Sequence, residues 1–261
     1  MKALQIAATG MLAQQLNVEV ISQNIANMRT TGYKRQRPEF QDLLYQDLRR
    51  VGAASSDTGT IVPSGIQLGL GVKTGSIYRI FTQGSLLSTE KDLDLSVRGE
   101  GFFQVTLPNG NTSYTRAGAF ELDANGALVT LDGYKLDPAI TIPANARSVS
   151  INSEGSIQVL TDETSTPTNV GQLELAIFVN KSGLESIGDN LYLETPASGS
   201  PTTGTPGSTG IGTLLQGSLE QSNVNAVSEI SDLIAAQRAY EMNAKIITAS
   251  DEMMQATNNL R

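Results

Sequence analysis

Three acidic side chains, Glu90, Asp92 and Asp94, lie close enough in the sequence to form a carboxylate pair. Paired carboxyl groups can divide general acid and general base work between them. In a β-strand, however, Asp92 and Asp94 share one face, and Leu93 and Leu95 share the other. A solvated sheet face explains this pattern without catalysis, so the acids are weak support for an enzyme.

Two further fragments begin like ligand-binding motifs and then depart from them. Segment 123–126 (DANG) starts like a calcium loop, but the EF-hand motif needs a bidentate Glu at its twelfth position, where this chain has Tyr134. Segment 99–101 (GEG) starts like a dinucleotide fingerprint, but Gln104 stands where the third glycine belongs. We therefore expect a hairpin turn at 123–126 and no nucleotide site at 99–104.

The chain of 261 residues contains no Cys and no His. Without His it lacks the commonest general base and metal ligand, and without Cys it lacks thiolate chemistry and disulfides. A serine nucleophile would need a Lys or acid partner, and the sequence shows no such constellation. We therefore expect no catalytic site, no metal and no cofactor.

The net charge of −8 is unevenly distributed. Residues 1–50 carry +3, so the rest of the chain carries −11. An acidic body argues against nucleic-acid binding, which requires Lys and Arg to neutralise phosphates. We expect the small basic cluster at 29–37 to contact an acidic protein surface instead.

No run of 18 apolar residues is present, so we expect no helical membrane span. The first 28 residues mix apolar side chains with Gln and Asn and lack the continuous apolar centre of a signal peptide. If the protein leaves the cytosol, we expect a route that does not use a cleavable signal.

The two ends of the chain share a periodicity that is typical of long amphipathic helices. In residues 3–28 and 226–260 apolar side chains recur every three or four residues. The first seam consists of Leu4, Ala7, Met11, Val18, Ile21, Ile25 and Met28. The second seam consists of Ile230, Leu233, Tyr240, Ala244, Ile247 and Met254. We expect the first helix to stop at residues 30–32, and the second to begin after Asn225 as its N-cap.

Each helix also carries a second apolar stripe. In the last helix this stripe consists of Ile246, Ala249, Met253, Ala256 and Leu260. Two stripes on one helix require two partners. One interpretation is a two-helix hairpin packed on its own body. The other, which we favour, is bundling with further copies of the chain, in which the two seams supply the self-assembly residues.

Between the helices the pattern changes to strands and tight turns. Residues 33–50 indicate a mixed connector with apolar residues at helical spacing, and residues 51–75 an extended β-hairpin. Turn sequences at 108–110, 123–126, 132–133 and 153–155 predict hairpins, because Asn-Gly and Asp-Gly tolerate positive φ. The Gly-, Ser- and Thr-rich residues 196–213 predict a mobile or extended surface loop.

A longer motif follows the first helix in the stretch SQNIANMRTTGYKR, where N-I-A-N precedes T-x-G-Y-K. Its residues are Asn24, Ile25, Ala26, Asn27, Thr31, Gly32, Tyr33 and Lys34. This motif resembles the N-terminal signature of the bacterial flagellar rod and hook proteins. Further segments resemble the same family in the same order: GEGFFQV, YTRAGAF, LDANGALVT, GLESIGDNLY and LEQSNVNAVSEISDLIAAQRAYEMN. The likeness covers most of the chain.

The resemblance implies a mixed α and β fold. The terminal helices would pair as a coiled-coil-like core domain (1–35 with 218–261). Residues 36–75 would form a connector and an extended β-hairpin, and residues 76–217 an all-β outer domain. The extra segment at 46–75 is similar to one that distal rod proteins carry and hook proteins mostly lack.

The implied function is a structural subunit of the flagellar distal rod, a helical polymer that transmits torque to the hook. A proximal rod or hook subunit is the alternative within the family, and a peptidoglycan-acting enzyme is the alternative of another class. The implied partners are further copies of the chain, proximal rod proteins, hook or hook-junction subunits, P-ring and L-ring proteins, and the flagellar type III export apparatus.

Overall fold

The computed structural model of the protein describes residues 2–49, 64–161 and 166–259. In these residues a long helix lies at each end of the chain, α1 (Lys2–Ala26) and α2 (Ala226–Asn259), and most of the ordered segments between them are strands. The expectation of terminal helices and a β-rich body is confirmed, and the fold is mixed α and β.

α1 ends where the backbone turns. The Asn27 carbonyl accepts a hydrogen bond from the Thr30 amide (3.1 Å), and Gly32 has a φ of 71°. The positive φ of Gly32 lies within the turn that follows the helix, six residues after its end. The helix stops at Ala26, earlier than expected, so Met28 of the first predicted seam lies in the turn that follows.

The start of α2 agrees with the sequence. Asn225 Oδ1 accepts hydrogen bonds from the amides of Val227 (3.0 Å) and Ser228 (3.3 Å). These two amides are among those that have no partner inside the first turn of a helix. Asn225 is therefore the N-cap that the sequence predicts.

The chain divides into two compact units. Unit 1 comprises Met1–Ile25, Gln36–Tyr78 and Asn225–Arg261, and unit 2 comprises Ala26–Arg35 and Arg79–Val224. The division expected from the sequence is 1–35 with 218–261, 36–75 and 76–217, and it stays a prediction.

Four strands follow α1 in the chain, and they belong to unit 1 except at the end of the fourth. They are β1 (Gln36–Asp42), β2 (Tyr45–Arg49), β3 (Ile66–Gly69) and β4 (Val72–Arg79). β1 pairs with β4, and β2 pairs antiparallel with β3. The helical spacing of Phe40, Leu43, Leu44 and Leu48 therefore produces no helix, because strand pairing overrides a short local periodicity. Most of the segment that joins β2 to β3, residues 50–63, lies outside the described residues, so the predicted extended hairpin stays a prediction.

Within unit 1, α1 and α2 lie side by side and run antiparallel. Asn24 of α1 bonds Glu229 of α2, and a Cβ at Gly10 would lie 3.0 Å from the Asn243 side chain. Residue numbers therefore rise along α1 as they fall along α2. Gly10 permits a close approach of the two helices, because any larger side chain would displace Asn243.

Unit 2 contains the remaining strands. They are β5 (Leu86–Ser88), β6 (Leu95–Arg98), β7 (Phe102–Thr106), β8 (Thr112–Thr115), β9 (Phe120–Leu122), β10 (Leu128–Thr130), β11 (Lys135–Asp137), β12 (Ala146–Ile151), β13 (Ser156–Thr161), β14 (Thr168–Gln172), β15 (Leu175–Ile177), β16 (Glu185–Gly188), β17 (Leu191–Leu193), β18 (Thr202–Gly204), β19 (Thr213–Gln216) and β20 (Ser218–Glu220). The largest sheet has the order β16-β17-β8-β7-β11-β10-β9, and β15 joins it by pairing with β7 and β18. Smaller sheets pair β12-β13-β14, β19-β6 and β20-β5.

The hairpins predicted from turn chemistry are confirmed. Gly110, Gly126, Gly133 and Gly155 all have positive φ. They lie in the turns that join the antiparallel pairs β7–β8, β9–β10, β10–β11 and β12–β13. Each turn therefore sets the register of the strands that flank it.

The prediction of a mobile or extended surface loop at 196–213 is wrong for part of this segment. β18 lies inside it and pairs with β15. Ser198 is buried and accepts a hydrogen bond from the Thr195 amide (3.0 Å). A segment rich in Gly, Ser and Thr can still form a strand, because the backbone hydrogen bonds to a neighbouring strand need no apolar side chain.

The core of unit 2 lies between its sheets. Its main cluster consists of Leu95, Val97, Phe103, Val105, Phe120, Leu128, Leu136, Ile140, Ile142, Ile151, Ile157, Val159, Leu173, Leu175, Leu191 and Leu214. A second cluster is largely aromatic, and Tyr114 and Phe178 meet there edge to face with centroids 4.7 Å apart. These clusters bury apolar side chains from many of the strands and give the unit a close-packed interior.

Candidate functional site

The family motif is divided between the two units. Asn24 and Ile25 end the first segment of unit 1, whereas Ala26 to Lys34 belong to unit 2. Ile25 is half-buried and Ala26 is exposed, but Asn24, Gly32, Tyr33 and Lys34 are all buried. The motif therefore supplies buried anchors rather than a surface for ligands.

In unit 1, Asn24 joins three parts of the chain. Its Oδ1 accepts a hydrogen bond from the Gln36 amide (2.9 Å), and its Nδ2 donates to the Gln36 carbonyl (2.8 Å). The same Nδ2 donates to Glu229 Oε2 (3.1 Å). Asn24 thus bonds the first residue of β1 as another strand would, and it also bonds the first turn of α2.

In unit 2, the turn after α1 is held from several sides. Thr30 Oγ1 donates to Asn27 Oδ1 (3.1 Å), and the Thr31 carbonyl accepts from Asn190 Nδ2 (3.1 Å). The Gly32 amide donates to the Glu220 carbonyl (2.8 Å). A Cβ at Gly32 would lie 2.7 Å from the Ala117 nitrogen, so glycine is required here by space as well as by φ.

The last motif residue, Lys34, belongs to a buried ion cluster. Its Nζ lies 2.6 Å from Glu220 Oε1 and donates to the Thr82 carbonyl (3.0 Å). Arg116 Nε lies 2.6 Å from Glu220 Oε2. The side chains of Lys34, Arg116 and Glu220 are 1%, 6% and 0% exposed. Each oxygen of Glu220 therefore has a cation, and Oε1 also accepts the Gly84 amide (2.9 Å).

The glycine segment 99–101 holds this arginine. Arg116 Nη2 donates to the carbonyls of Gly99 (2.6 Å) and Val97 (3.2 Å), and Nη1 donates to the Gly101 carbonyl. Gly99 and Gly101 have φ values of 102° and 146°. The loop that begins like a dinucleotide fingerprint thus presents carbonyl groups to the Arg116 cation. A phosphate would instead be bound by backbone amides, which can donate hydrogen bonds to it.

The electrostatics of the cluster follow from burial and charge. Burial lowers the pKa of Lys34, and Glu220 opposes that effect only in part. Burial alone would raise the pKa of Glu220, but Arg116 and Lys34 outweigh it and hold that pKa below its usual range. Glu220 is therefore an anion at neutral pH, as its two partners require.

The acids at 90–94 do not form the sheet face that the sequence predicts. Asp92 lies in a turn and is exposed, whereas Asp94 is buried and bridges to Ala119. Glu90 is exposed and has a φ of 59°. The expected strand pattern is wrong, because the strand begins only at Leu95. The three carboxylates have different environments and do not form a catalytic pair.

The Asp123 carboxylate serves its own turn. Its Oδ1 accepts hydrogen bonds from the amides of Ala127 and Asn125, both at 2.8 Å. These backbone bonds, led by that of Ala127, lower the pKa of Asp123. The segment is the hairpin turn that was expected in place of a calcium loop.

Among the residues in the three described ranges, no group of three or more His, Cys, Asp or Glu side chains is placed to hold a metal ion. In the same part of the chain, neither helix is apolar over a length sufficient to cross a membrane.

The predicted seam residues differ in exposure. Ile21 is buried, and Leu4, Met11, Val18, Ile25, Leu233, Ala244 and Ile247 are half-buried. Met28, Ile230, Tyr240 and Met254 are exposed. The described contacts do not test their role in self-assembly, so that role stays a prediction.

Three family models match separate parts of the chain. Residues 4–34 match "Flagella basal body rod protein", residues 96–159 match "Flagellar hook protein FlgE/F/G D1 domain", and residues 215–260 match "Flagellar basal body rod FlgEFG protein C-terminal". The first and third matches contain Lys34 and Glu220, and the second contains Arg116. The ion cluster therefore joins all three matched segments.

Full-length relatives decide the family. The chain is 57% identical to the flagellar basal-body rod protein FlgG of Caulobacter vibrioides over 261 residues, which is 100% of both chains. It is 51% identical to FlgG of Agrobacterium fabrum over 97% of each chain. It is 39% identical to FlgG of Bacillus subtilis over 100% of this chain and 99% of the relative. The chain belongs to the flagellar basal-body rod protein family. The resemblance seen in the sequence is confirmed.

Within this rod-family chain, sequence reasoning found Asn24, Gly32 and Lys34 but missed their partners. Glu220 and Arg116 lie in segments quoted for the resemblance, LEQSNV and YTRAGAF. The only sequence feature that could have indicated these partners is that each segment contains one charged residue between uncharged neighbours. A charge in such a place indicates either a surface or a buried pair, and the sequence alone does not distinguish them.

Proposed function

We propose that this chain is a structural subunit of the flagellar distal rod, which polymerises helically and transmits torque to the hook. Membership of the basal-body rod family supports the structural role. The observation that carries self-assembly is a set of apolar side chains on α2 that the described residues of the monomer leave exposed.

These side chains form two stripes on α2. Val227, Ile230 and Ile234 are exposed at spacings of three and four residues. Met242, Ile246 and Met253 are exposed further along, at spacings of four and seven residues. At 3.6 residues per turn the two stripes lie roughly 100° apart around the helix. Both lie away from the side that carries buried Glu229 and Ala236, whereas buried Ser250 lies on the side of the second stripe, four residues after Ile246.

Two separate stripes favour two neighbouring copies on different sides of α2. Contacts of this kind are heterologous, and they generate a helical filament when the rotation does not close. Each buried Å² of apolar surface contributes about 25 cal/mol. The predicted seams on α1 and α2 would then complete a coiled-coil-like core of the filament.

The specific partners follow from the same proposal. A distal rod subunit contacts proximal rod proteins at one end and hook or hook-junction subunits at the other, with P-ring and L-ring proteins around it. It reaches the rod through the flagellar type III export apparatus without a cleaved signal. The segment 46–75, part of which lies outside the described residues, is the part of the chain that favours the distal rod over the hook.

The alternatives have less support. The description of the model that matches residues 96–159 names a hook protein, but the full-length relatives cited above are rod proteins. A peptidoglycan-acting enzyme rested on the acids at 90–94, of which Glu90 and Asp92 are exposed and Asp94 is buried. A structural role remains the conclusion.

The test is assembly of the purified full chain at rising concentration, followed by negative-stain microscopy and sedimentation. We expect straight filaments from the natural chain and none from a variant with Ile246→Asp and Met253→Asp. Both side chains are well exposed, 47% and 63%, so the helix content in circular dichroism should not change. A charge at a buried contact between copies costs several kcal/mol.

Val179→Asp is the matched control, because Val179 is 97% exposed on unit 2. This variant should form filaments as the natural chain does. If the natural chain does not nucleate alone, rods isolated from cells supply the template. Growth of the doubly substituted variant on that template would contradict the proposal.

A further inference from the structure

The ion cluster of Lys34, Arg116 and Glu220 has an unbalanced charge. It places two cations and one anion in the interior of unit 2. Among the described residues, Glu220 is the one carboxylate that forms an ion pair with either cation. A buried cation that loses its partner is strongly destabilising, because desolvation is no longer offset by an opposite charge.

The three residues lie far apart in the chain. Glu220 is separated from Lys34 by 186 positions and from Arg116 by 104. Chains are synthesised from the N-terminus, so both cations are present long before their counter-charge. Until residue 220 arrives, closure of unit 2 would bury two like charges with no anion between them.

Glu220 also accepts hydrogen bonds from two backbone amides. Its carbonyl accepts the Gly32 amide (2.8 Å), and its Oε1 accepts the Gly84 amide (2.9 Å). β20, which ends at Glu220, pairs with β5 beside Gly84. One residue near the end of the chain therefore joins the turn after α1, the start of β5 and the arginine of the β body.

We infer that Glu220 acts as a completion switch: the unpaired charges of Lys34 and Arg116 keep unit 2 open until residue 220 is available, and the Glu220 carboxylate then allows the unit to close. This device goes beyond the proposed function and does not depend on it. It would prevent an unfinished chain from presenting a closed body. The charge of Glu220, rather than its size, performs the switching.

The first experiment separates charge from size in the full chain. Glu220→Gln keeps the shape and leaves Lys34 and Arg116 without an anion. Lys34→Met leaves the neutral pair of Arg116 and Glu220, and the Thr82 carbonyl keeps Asn223 as a donor (3.0 Å). The readouts are amide exchange in β7 and β8 and the rate of proteolysis in unit 2.

We expect Glu220→Gln to be cleaved about a hundredfold faster than the natural chain or more, and Lys34→Met less than about tenfold faster. The double variant Lys34→Met with Glu220→Gln removes one of the two unpaired cations, so it should be cleaved more slowly than Glu220→Gln alone. The inference would be overturned if the two single variants were cleaved equally fast and the double variant were cleaved no more slowly than Glu220→Gln. A Glu220→Gln chain as protected as the natural one would also overturn it.

The second experiment tests timing on ribosome-bound chains of this protein. Synthesis is stalled so that either residue 217 or residue 224 is the last to leave the exit tunnel. Unit 2 should resist protease only in the longer chain, and Glu220→Gln in the longer chain should remove that resistance. Equal protection of both lengths would refute the inference, whether or not the complete protein polymerises.

Discussion

Gly32 illustrates how one residue connects the family motif to the fold. Its φ of 71° is costly for residues that have a Cβ. A Cβ would also meet the Ala117 nitrogen at 2.7 Å and the Arg116 carbonyl carbon at 2.8 Å. Both are backbone atoms of a strand connection, so neither can move aside cheaply. The turn can therefore bring the Gly32 amide to Glu220 only if this residue is glycine.

Gly32→Ala and Gly110→Ala separate these two effects. Gly110 also has a positive φ, 82°, but no atom lies within 4 Å of a Cβ built there. We expect Gly110→Ala to lower the free energy of unfolding by about 1–2 kcal/mol, and Gly32→Ala by roughly 3 kcal/mol or more because overpacking adds to the strain. Urea unfolding of the full chain measures both. Equal losses would show that the close approach at Gly32 is relieved without cost.

At the scale of elements, a polar contact marks the register of the two helices. Asn24 and Glu229 are both buried, and their side chains are 3.1 Å apart in unit 1. Small side chains, Ala13 and Ala236, are buried along the same helices. The side chains of a polar pair can form their hydrogen bond at only one alignment of the two helices. Small apolar residues pack almost equally well when one helix is shifted along the other. Asn24 and Glu229 therefore specify how far α1 and α2 overlap.

Asn24→Asp tests this role. It removes the donor to Glu229 and to the Gln36 carbonyl and places two carboxylates at hydrogen-bond distance, so we expect a loss of about 3 kcal/mol or more in the stability of the helices. Adding Glu229→Gln restores a donor and an acceptor in reversed positions, and it should recover a large part of that loss. The measurement is helix content at 222 nm during thermal unfolding. If the second change gives no recovery, the pair does not set the register.

At the scale of the whole molecule, charge and apolar surface oppose each other. The net charge of −8 makes copies repel one another, whereas the exposed stripes on α2 favour contact. The Debye length falls from about 30 Å at 0.01 M salt to about 8 Å at 0.15 M. Screening therefore weakens the repulsion between copies and leaves the apolar attraction in place.

We accordingly expect polymerisation to accelerate as sodium chloride rises over this range. Light scattering during assembly of the natural chain measures the rate. The variant with Ile246→Asp and Met253→Asp serves as the reference, because salt should not induce filaments without the second stripe. Fastest assembly at the lowest salt would show instead that opposite charges on neighbouring copies direct the contact.

The sequence by itself determined the features that depend on local spacing. The helices at both ends follow from an apolar repeat of three or four residues, and Asn225 caps α2 through amides two and three positions away. The hairpin turns follow from glycines that accept positive φ. The motif ending in Lys34 also identified the family, because long ordered motifs do not depend on knowing any contact.

Only the tertiary structure decided which distant groups meet. It buried Asp94 and exposed Asp92, although the two differ by two positions. It joined Lys34 to Glu220 across 186 positions and Asn24 to Glu229 across 205. Spacing along the chain carries no information about such pairs. Their geometry arises when the strands and helices pack, because burying a charge or an amide is costly unless it finds a partner.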